Sequence, residues 1–175
     1  MWCETHFLSL IKFTPMLIRK IEEKDNQKIA QVIRSCFADF NAPTAGTVFE
    51  DPTTDNLSEL FKKEKSVLYV AQEDDEVFGC CGIYPTDSLP DGTVELVKFY
   101  VSSKAREKGV GRALFEISME AAKQMGYKKV YIESLPEFSK AVSIYEKQGF
   151  KYLDQPLGNS AHPGCNLWML KDIED

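Results

Sequence analysis

The residues with the clearest chemical content are Arg106, Lys108, Gly109, Gly111 and Arg112, in the run VELVKFYVSSKAREKGVGRAL. An apolar stretch ending at Val101 reads as a strand, a short charged loop follows, and a helical pattern starts at Gly109. A helix N-terminus carries unpaired N–H groups and about half a positive charge, so it attracts anions. Two glycines let backbone N–H groups approach an oxyanion with no Cβ in the way. Three cations beside them, in a chain of formal net charge −6, make this a pyrophosphate cradle by composition. It is not a P-loop, which needs G-x-x-x-x-G-K-[ST], and the third glycine of the dinucleotide fingerprint is replaced by Leu114. Alone, these residues equally fit a glycine-rich turn carrying solvated charges.

Such a cradle must be held by regular elements. Leu17 to Ile21 alternates as a strand, and Asp25 is placed to cap a helix with Ile29, Val32, Ile33, Cys36, Phe37 and Phe40 inward. Asn41 to Thr54, with Pro43, Gly46 and Pro52, reads as a loop long enough for a functional one. A short helix is expected over Leu57–Lys65, then strands over Ser66–Gln72, Val77–Tyr84 and Val94–Val101. Gly79 and Gly82 signal bends or close packing. The tight connections between these strands require antiparallel pairing. The second half alternates helix and strand: a helix to Gly126 with Val110, Leu114, Ile117, Ala121 and Met125 inward, a strand over Lys129–Glu133, and a helix over Pro136–Gln148. Its inner stripe is Phe138, Ala141, Val142 and Tyr145, and strands over Phe150–Leu153 and Asn166–Leu170 close the chain. The expected fold is α/β (α+β), a mixed sheet with helices on both faces.

Composition narrows the function. At 175 residues, with 43% hydrophobic and 27% charged residues, the chain is that of one globular domain, assigned to 16–175. Residues 1–15 read as an extension outside the core, because Met16 opens a natural first strand; a docked N-terminal strand or helix is the alternative. The acidic balance argues against nucleic acid as a partner. Apolar runs are too short for a membrane span, and no signal-peptide pattern is present, so no membrane partner and a cytoplasmic location are expected. Five cysteines without a C-x-x-C pair, and two histidines, offer little to a metal. Cys80, Cys81 and Cys165 are expected to be small buried residues, the first two facing opposite sides of their strand.

Two linked motifs then carry a resemblance. Arg106-x-x-Gly109-x-Gly111, five residues after the strand end at Val101, resembles the [QR]-x-x-G-x-[GA] coenzyme A loop of the GNAT superfamily of acyl-CoA-dependent N-acetyltransferases. Ala141-x-x-x-Tyr145-x-x-x-Gly149-Phe150 resembles that superfamily's A-x-x-x-Y-x-x-x-G-F helix. The resemblance covers residues 17 to about 171. It implies a mostly antiparallel sheet of about seven strands, splayed between strands 4 and 5, with acetyl-CoA as acyl donor in the gap and no metal. Cofactor contacts implied by the matched positions are Arg106, Glu107, Lys108, Gly109, Val110, Gly111 and Arg112, mostly through backbone N–H. The pantetheine arm would run along Phe99, Tyr100 and Val101, where a backbone N–H polarises the thioester carbonyl. One position departs from the family: the asparagine three residues before the helix alanine is Phe138 here, so its contact passes to Ser139 or is lost.

The resemblance implies transfer of an acetyl group to a primary amine. An attacking amine must be neutral, so a base or a water chain to one is needed. Glu95, six residues before Val101, matches the glutamate base of some histone-acetylating members; it serves only if burial raises its pKa, and otherwise faces solvent or pairs with Lys98 or Arg106. Tyr145 matches the general-acid tyrosine that protonates the leaving thiolate, the alternative being a packing aromatic. Asn159, Ser160 and His162 in PLGNSAHPG are candidates to line an acceptor pocket, with the Asn41–Thr54 loop, Phe40 and Phe49 opposite. The expected acceptor is a small-molecule amine, the protein a monomer or homodimer. A protein N-terminus or lysine as acceptor, a non-catalytic acyl-CoA sensor and a plain nucleotide-binding α/β protein are the competing readings.

Overall fold

The structure is a computed structural model that describes residues 16–159 and 162–174. The expectations for residues 1–15 and for Ser160 lie outside the described residues. Seven strands form one sheet: β1 (Leu17–Lys20), β2 (Val67–Glu73), β3 (Glu76–Tyr84), β4 (Thr93–Val101), β5 (Lys129–Ser134), β6 (Lys151–Leu153) and β7 (Leu167–Asp172). Their order is β1-β2-β3-β4-β5-β7-β6, antiparallel throughout except for the parallel β4–β5 pair. The four helices are α1 (Asn26–Asp39), α2 (Leu57–Leu60), α3 (Val110–Gln124) and α4 (Ser139–Lys147). Among the described residues no helix is long and apolar enough to cross a membrane.

Strand alternation divides the apolar residues between two cores. Val94, Leu96, Cys81 and Ile83 face α3, packing with Leu114, Phe115 and Tyr145. Cys80, Val70 and Leu68 face α1 and α2, packing with Ile29, Ile33, Phe37 and Leu57. Cys80 and Cys81 thus lie on opposite faces, both fully buried. Gly82 explains itself by close approach: a Cβ there would lie 2.2 Å from the Val67 carbonyl oxygen.

Four local expectations are corrected. Asp25 sits at the α1 N-terminus but its side chain does not cap that helix. Its carboxylate instead takes both Arg19 guanidinium nitrogens, at 2.7 and 2.9 Å, and the Glu22 N–H at 2.8 Å, because a bidentate charged partner outweighs a backbone donor. α2 stops at Leu60 rather than Lys65; Lys65 takes a left-handed φ of 58°, and the Ser66 hydroxyl donates to the Lys63 carbonyl. In α3 the buried stripe is Val110, Leu114, Phe115, Ser118, Ala121 and Ala122, leaving Ile117 half-buried. Ser118 tolerates burial because its hydroxyl donates to the Leu114 carbonyl at 2.8 Å. α4 starts at Ser139, since residues 136–137 form a turn closed by the Phe138 N–H on the Leu135 carbonyl. A residue before proline avoids the helical region, which delays the start.

Two irregularities in β4 prepare the site. Pairing with β5 covers only Thr93↔Lys129, Val94↔Val130 and Glu95↔Tyr131, although both strands continue; beyond Glu95 they part. On the other edge, Cys80 pairs with Tyr100 and Gly82 with Val97, so Lys98 and Phe99 together oppose Cys81. This is a β-bulge, with Lys98 at a left-handed φ of 55° and its carbonyl accepting the Cys80 thiol at 3.0 Å.

Candidate functional site

Where β4 leaves β5, two pockets share the wall formed by Phe99, Tyr100, Phe138 and Ala141. The first is a groove of about 310 Å³ bounded by the end of β4, the loop before α3 and one side of α4. Gly109 is the N-cap of α3, at φ 80°, a conformation that disfavours any side chain. The first bond inside α3 runs from the Ala113 N–H to the Gly109 carbonyl, so the N–H groups of Val110, Gly111 and Arg112 have no partner within the helix. Gly111 packs face-on to Phe99 and Val101, where a Cβ would meet both at 3.5 Å. The cradle expected from the two glycines is therefore built from backbone donors, and it fits a phosphate-bearing ligand.

The side chains of that loop behave differently from a simple cationic ring. Arg106 donates to the Val101 carbonyl at 3.0 Å and to Asp39 at 2.6 Å, with its guanidinium 4.6 Å over the Phe40 ring. It braces the loop against α1. Arg112 is paired with Glu116 at 2.7 Å, and Glu107 with Lys140 at 3.0 Å. Lys108 is exposed, and the Val110 side chain is buried in the core. Of the residues implied as cofactor contacts, Phe99, Tyr100, Val101, Arg106, Glu107, Gly109, Gly111 and Arg112 line the groove. Ser139 is exposed and outside it; the α4 wall is Phe138, Lys140, Ala141 and Ile144. Phe138 fills the departed asparagine position with packing, its ring 5.2 Å from Phe37 and 5.7 Å from Tyr100.

The second region is a narrower cleft of about 70 Å³ on the other side of the splay, lined by Glu95, Lys98, Glu133, Tyr145, His162 and Cys165 among others. Glu95 is 6% exposed, so it neither faces solvent nor pairs with Arg106. Burial pushes its carboxyl up to about 7, reinforced by the neighbouring Glu133 and opposed by the Thr86 hydroxyl, which donates to it, and by Lys98. Glu133 also accepts the Tyr131 hydroxyl at 2.8 Å. Tyr145 reaches the cleft from α4, its ring set among Phe99, Phe115 and Phe150 at centroid distances of 6.1, 6.2 and 5.9 Å. Burial holds its phenol well above the usual value, so the proton stays on oxygen at neutral pH.

Behind the cleft wall, in contact with His162 and Lys98, stands Asp51, a residue not singled out from the sequence. Asp51 accepts the Thr53 N–H and hydroxyl on one oxygen, at 2.8 and 2.7 Å, and meets His162 Nε2 at 2.9 Å with the other. Burial would raise its carboxyl, but these bonds and the charge of Lys98 bring it down to about 2. Lys98 is 8% exposed, and its Nζ stands 3.6 Å from Asp51. Strict alternation puts Glu95 and Lys98 on opposite faces of β4; only the bulge brings both to the cleft. The sequence signal was two charges inside one apolar strand. His162 does line the cleft, and Thr47 and Val48 supply the wall from the Asn41–Thr54 loop. Phe40 instead serves the first groove, Phe49 packs edge-on to Phe37, and Asn159 is exposed. Cys165 is half-buried against the cleft rather than in a core.

Solved structures share this architecture. An acetyltransferase of the GNAT family from Staphylococcus aureus Mu50 superposes with a TM-score of 0.80 at 16% identity, covering 91% of this chain and 100% of that one. YncA, a putative acetyltransferase from Salmonella typhimurium solved with its cofactor acetyl-CoA, superposes at 0.70 and 20% identity, covering 92% and 95%. These likenesses define the class by fold. Sequence carries it further: residues 28–150 match the acetyltransferase (GNAT) family. An uncharacterized N-acetyltransferase of Escherichia coli K12, YjgM, is 31% identical over 158 residues, 90% of this chain and 95% of its own length. The chain belongs to the GNAT acetyltransferase family.

Proposed function

We propose that this protein transfers an acetyl group from acetyl-CoA to a primary amine of a small molecule, by direct attack in a ternary complex. The observation that carries the reading is the convergence of Glu95 and Tyr145 on one cleft, at the end of a groove whose floor is the α3 N-terminus. The backbone N–H groups of Val110, Gly111 and Arg112 would hold the pyrophosphate, and the apolar wall of Phe99, Val101, Ala141 and Ile144 the pantetheine arm. YncA's acetyl-CoA supports the same ligand here.

Glu95 takes the proton of the incoming ammonium; a carboxyl near 7 is matched to that task at neutral pH, whereas an ordinary glutamate near 4.3 is too weak a base. The amine nitrogen then bonds to the acetyl carbonyl carbon and the carbon–sulfur bond breaks. Tyr145, kept protonated by burial, hydrogen-bonds to the leaving sulfur and supplies its proton, and the phenolate is reprotonated by the second proton that the new amide nitrogen sheds, while Glu95 returns its own to solvent. A β4 backbone N–H polarises the carbonyl oxygen, a donor positioned before the reaction begins.

Thermal unfolding with acetyl-CoA, and with ATP as control, tests the donor. At a hundredfold excess over Kd, linkage stabilises by about 2.7 kcal/mol. For a chain of this size that is about 5–10 °C. A shift with acetyl-CoA alone, followed by thiol release with a panel of amines, supports the transferase. No shift at saturation sinks the reading, and a shift without thiol release for any amine leaves an acyl-CoA sensor.

A further inference from the structure

The proposed chemistry does not use the Lys98 ammonium. It is buried, it lines the cleft, and among the described residues Nζ has no hydrogen-bond partner. Its neighbour Asp51 neutralises it from 3.6 Å, too far for a hydrogen bond. Asp51 is held there by other partners: one oxygen is taken by Thr53 and the other by His162. The ammonium is therefore charge-compensated yet has three donors to spend, and a buried donor without an acceptor is costly. The bulge in β4, with Lys98 at φ 55°, holds this arrangement on the strand that also carries Glu95.

Resting on the transferase reading above, we infer that Lys98 selects the acceptor: its Nζ binds a carbonyl or carboxylate oxygen adjacent to the reactive amine, so the substrates are amino acids or their carbonyl derivatives rather than plain alkylamines. Glu95 and Lys98 lie three positions apart on β4 and line the same cleft of about 70 Å³, so one small ligand carrying both an amine and an oxygen acceptor can meet them together. A plain alkylamine or polyamine would sit beside Glu95 and Glu133 and leave the Lys98 donors unmet. An α-amino carbonyl compound satisfies the carboxylates with its nitrogen and Lys98 with its oxygen.

The test is thiol release from acetyl-CoA with three matched series: amino acids, their amides, and the amines left by decarboxylation. Wild-type enzyme is expected to prefer the first or second series over the third by about tenfold or more in kcat/KM, the usual worth of a charge-assisted hydrogen bond. The amino acid and amide arms distinguish a carboxylate from a neutral carbonyl. In Lys98→Met the preference falls to about one through a raised KM, and Lys98→Arg restores part of it. A binding readout separates this from the chemistry: with free coenzyme A present, the N-acetylated product of the best acceptor raises the melting temperature of wild type but not of Lys98→Met. Equal or better turnover of the decarboxylated amines overturns the inference while the transferase reading stands. Retained preference in a Lys98→Met variant that still binds coenzyme A overturns it too. Acetyl-CoA binding with no thiol release from any series ends both.

Discussion

Two cation–carboxylate pairs, each with one buried and one partly buried partner, sit far apart in the fold and are built to different standards. At the β1 edge, Arg19 meets Asp25 through two bonds of 2.7 and 2.9 Å. Its Nε also donates to Gln72 at 3.0 Å, and the Glu22 N–H completes the carboxylate. Beside the cleft, the Lys98 ammonium stands 3.6 Å from Asp51, and among the described residues its Nζ has no hydrogen-bond partner. The first pair ties β1, β2 and the entry to α1 together, and its polar groups are consumed in doing so. The second leaves the buried Lys98 donors without an acceptor among the described residues, on a residue that lines the cleft. A closed buried pair is a statement about the fold; an open one in a family enzyme's cleft points to something that arrives later.

The contrast is broken most severely at the closed pair. Asp25→Ala strips a bidentate partner from Arg19 and is expected to cost about 3–5 kcal/mol. Denaturant unfolding reads the loss, with activity per folded molecule retained. The same pair has a pH signature. Burial would raise the Asp25 carboxyl, but the Arg19 and Glu22 hydrogen bonds prevail and hold it below its usual value. Its contribution is therefore present above about pH 4, the unfolded value, and is lost as pH falls through the folded one.

Glu95 has the opposite sign. Its folded carboxyl lies near 7, above the unfolded value of about 4.3, so ionising it in place works against the fold. Stability from this group is full below about pH 4 and declines as pH rises through 7. Glu95→Gln, which can still accept from Thr86, should stabilise by about 3 kcal/mol at pH 8 and by little at pH 4. The same variant should lose turnover and the rising limb of kcat/KM near pH 7. Thr86, Glu133 and Lys98 all influence this carboxyl, and of these Glu133 is the carboxylate to which a limb displaced rather than abolished would move the base.

Tyr145→Phe should cut turnover tenfold or more while acetyl-CoA binding persists, and shift stability by less than about 1 kcal/mol. Unchanged turnover would reduce Tyr145 to a member of the Phe99–Phe115–Phe150 aromatic cluster. The smallest stability effect is expected at the open pair. Lys98→Met removes an ammonium with unmet donors, and Asp51 keeps Thr53 and His162, so stability should change by about 1 kcal/mol or less, or rise. A loss as large as that of Asp25→Ala would show that Lys98 belongs to the fold rather than to the ligand.

Much of this architecture was legible along the chain because it depends on local pattern. Period-2 runs gave the strands, the 3.6 period gave α1 and α3, and Gly109 and Gly126 marked the ends of α3. Boundaries drifted where a tertiary partner competed for a capping group, as Arg19 does for Asp25. Within the site, the cradle glycines and Tyr145 stood in recognisable spacing, while Glu95 was a candidate whose environment was undetermined. Asp51, Glu133 and Thr86 gave no local signal, because each acts through neighbours distant in sequence; Asp51 and His162 are 111 positions apart.

The amino-acid sequence by itself determined the order of elements, the backbone cradle at Gly109–Gly111 and the family. These follow from periodicity, glycine conformation and fixed short spacings, which a linear chain carries directly. The tertiary structure alone decided which charges are buried and which are answered. It braced Arg106 against Asp39 at the side of the groove. It placed Glu95 beside Glu133 out of water, and through one bulge brought Lys98 to the same cleft. Burial and pairing are properties of three-dimensional neighbours, and these set both the pKa of Glu95 and the unmet donors of Lys98.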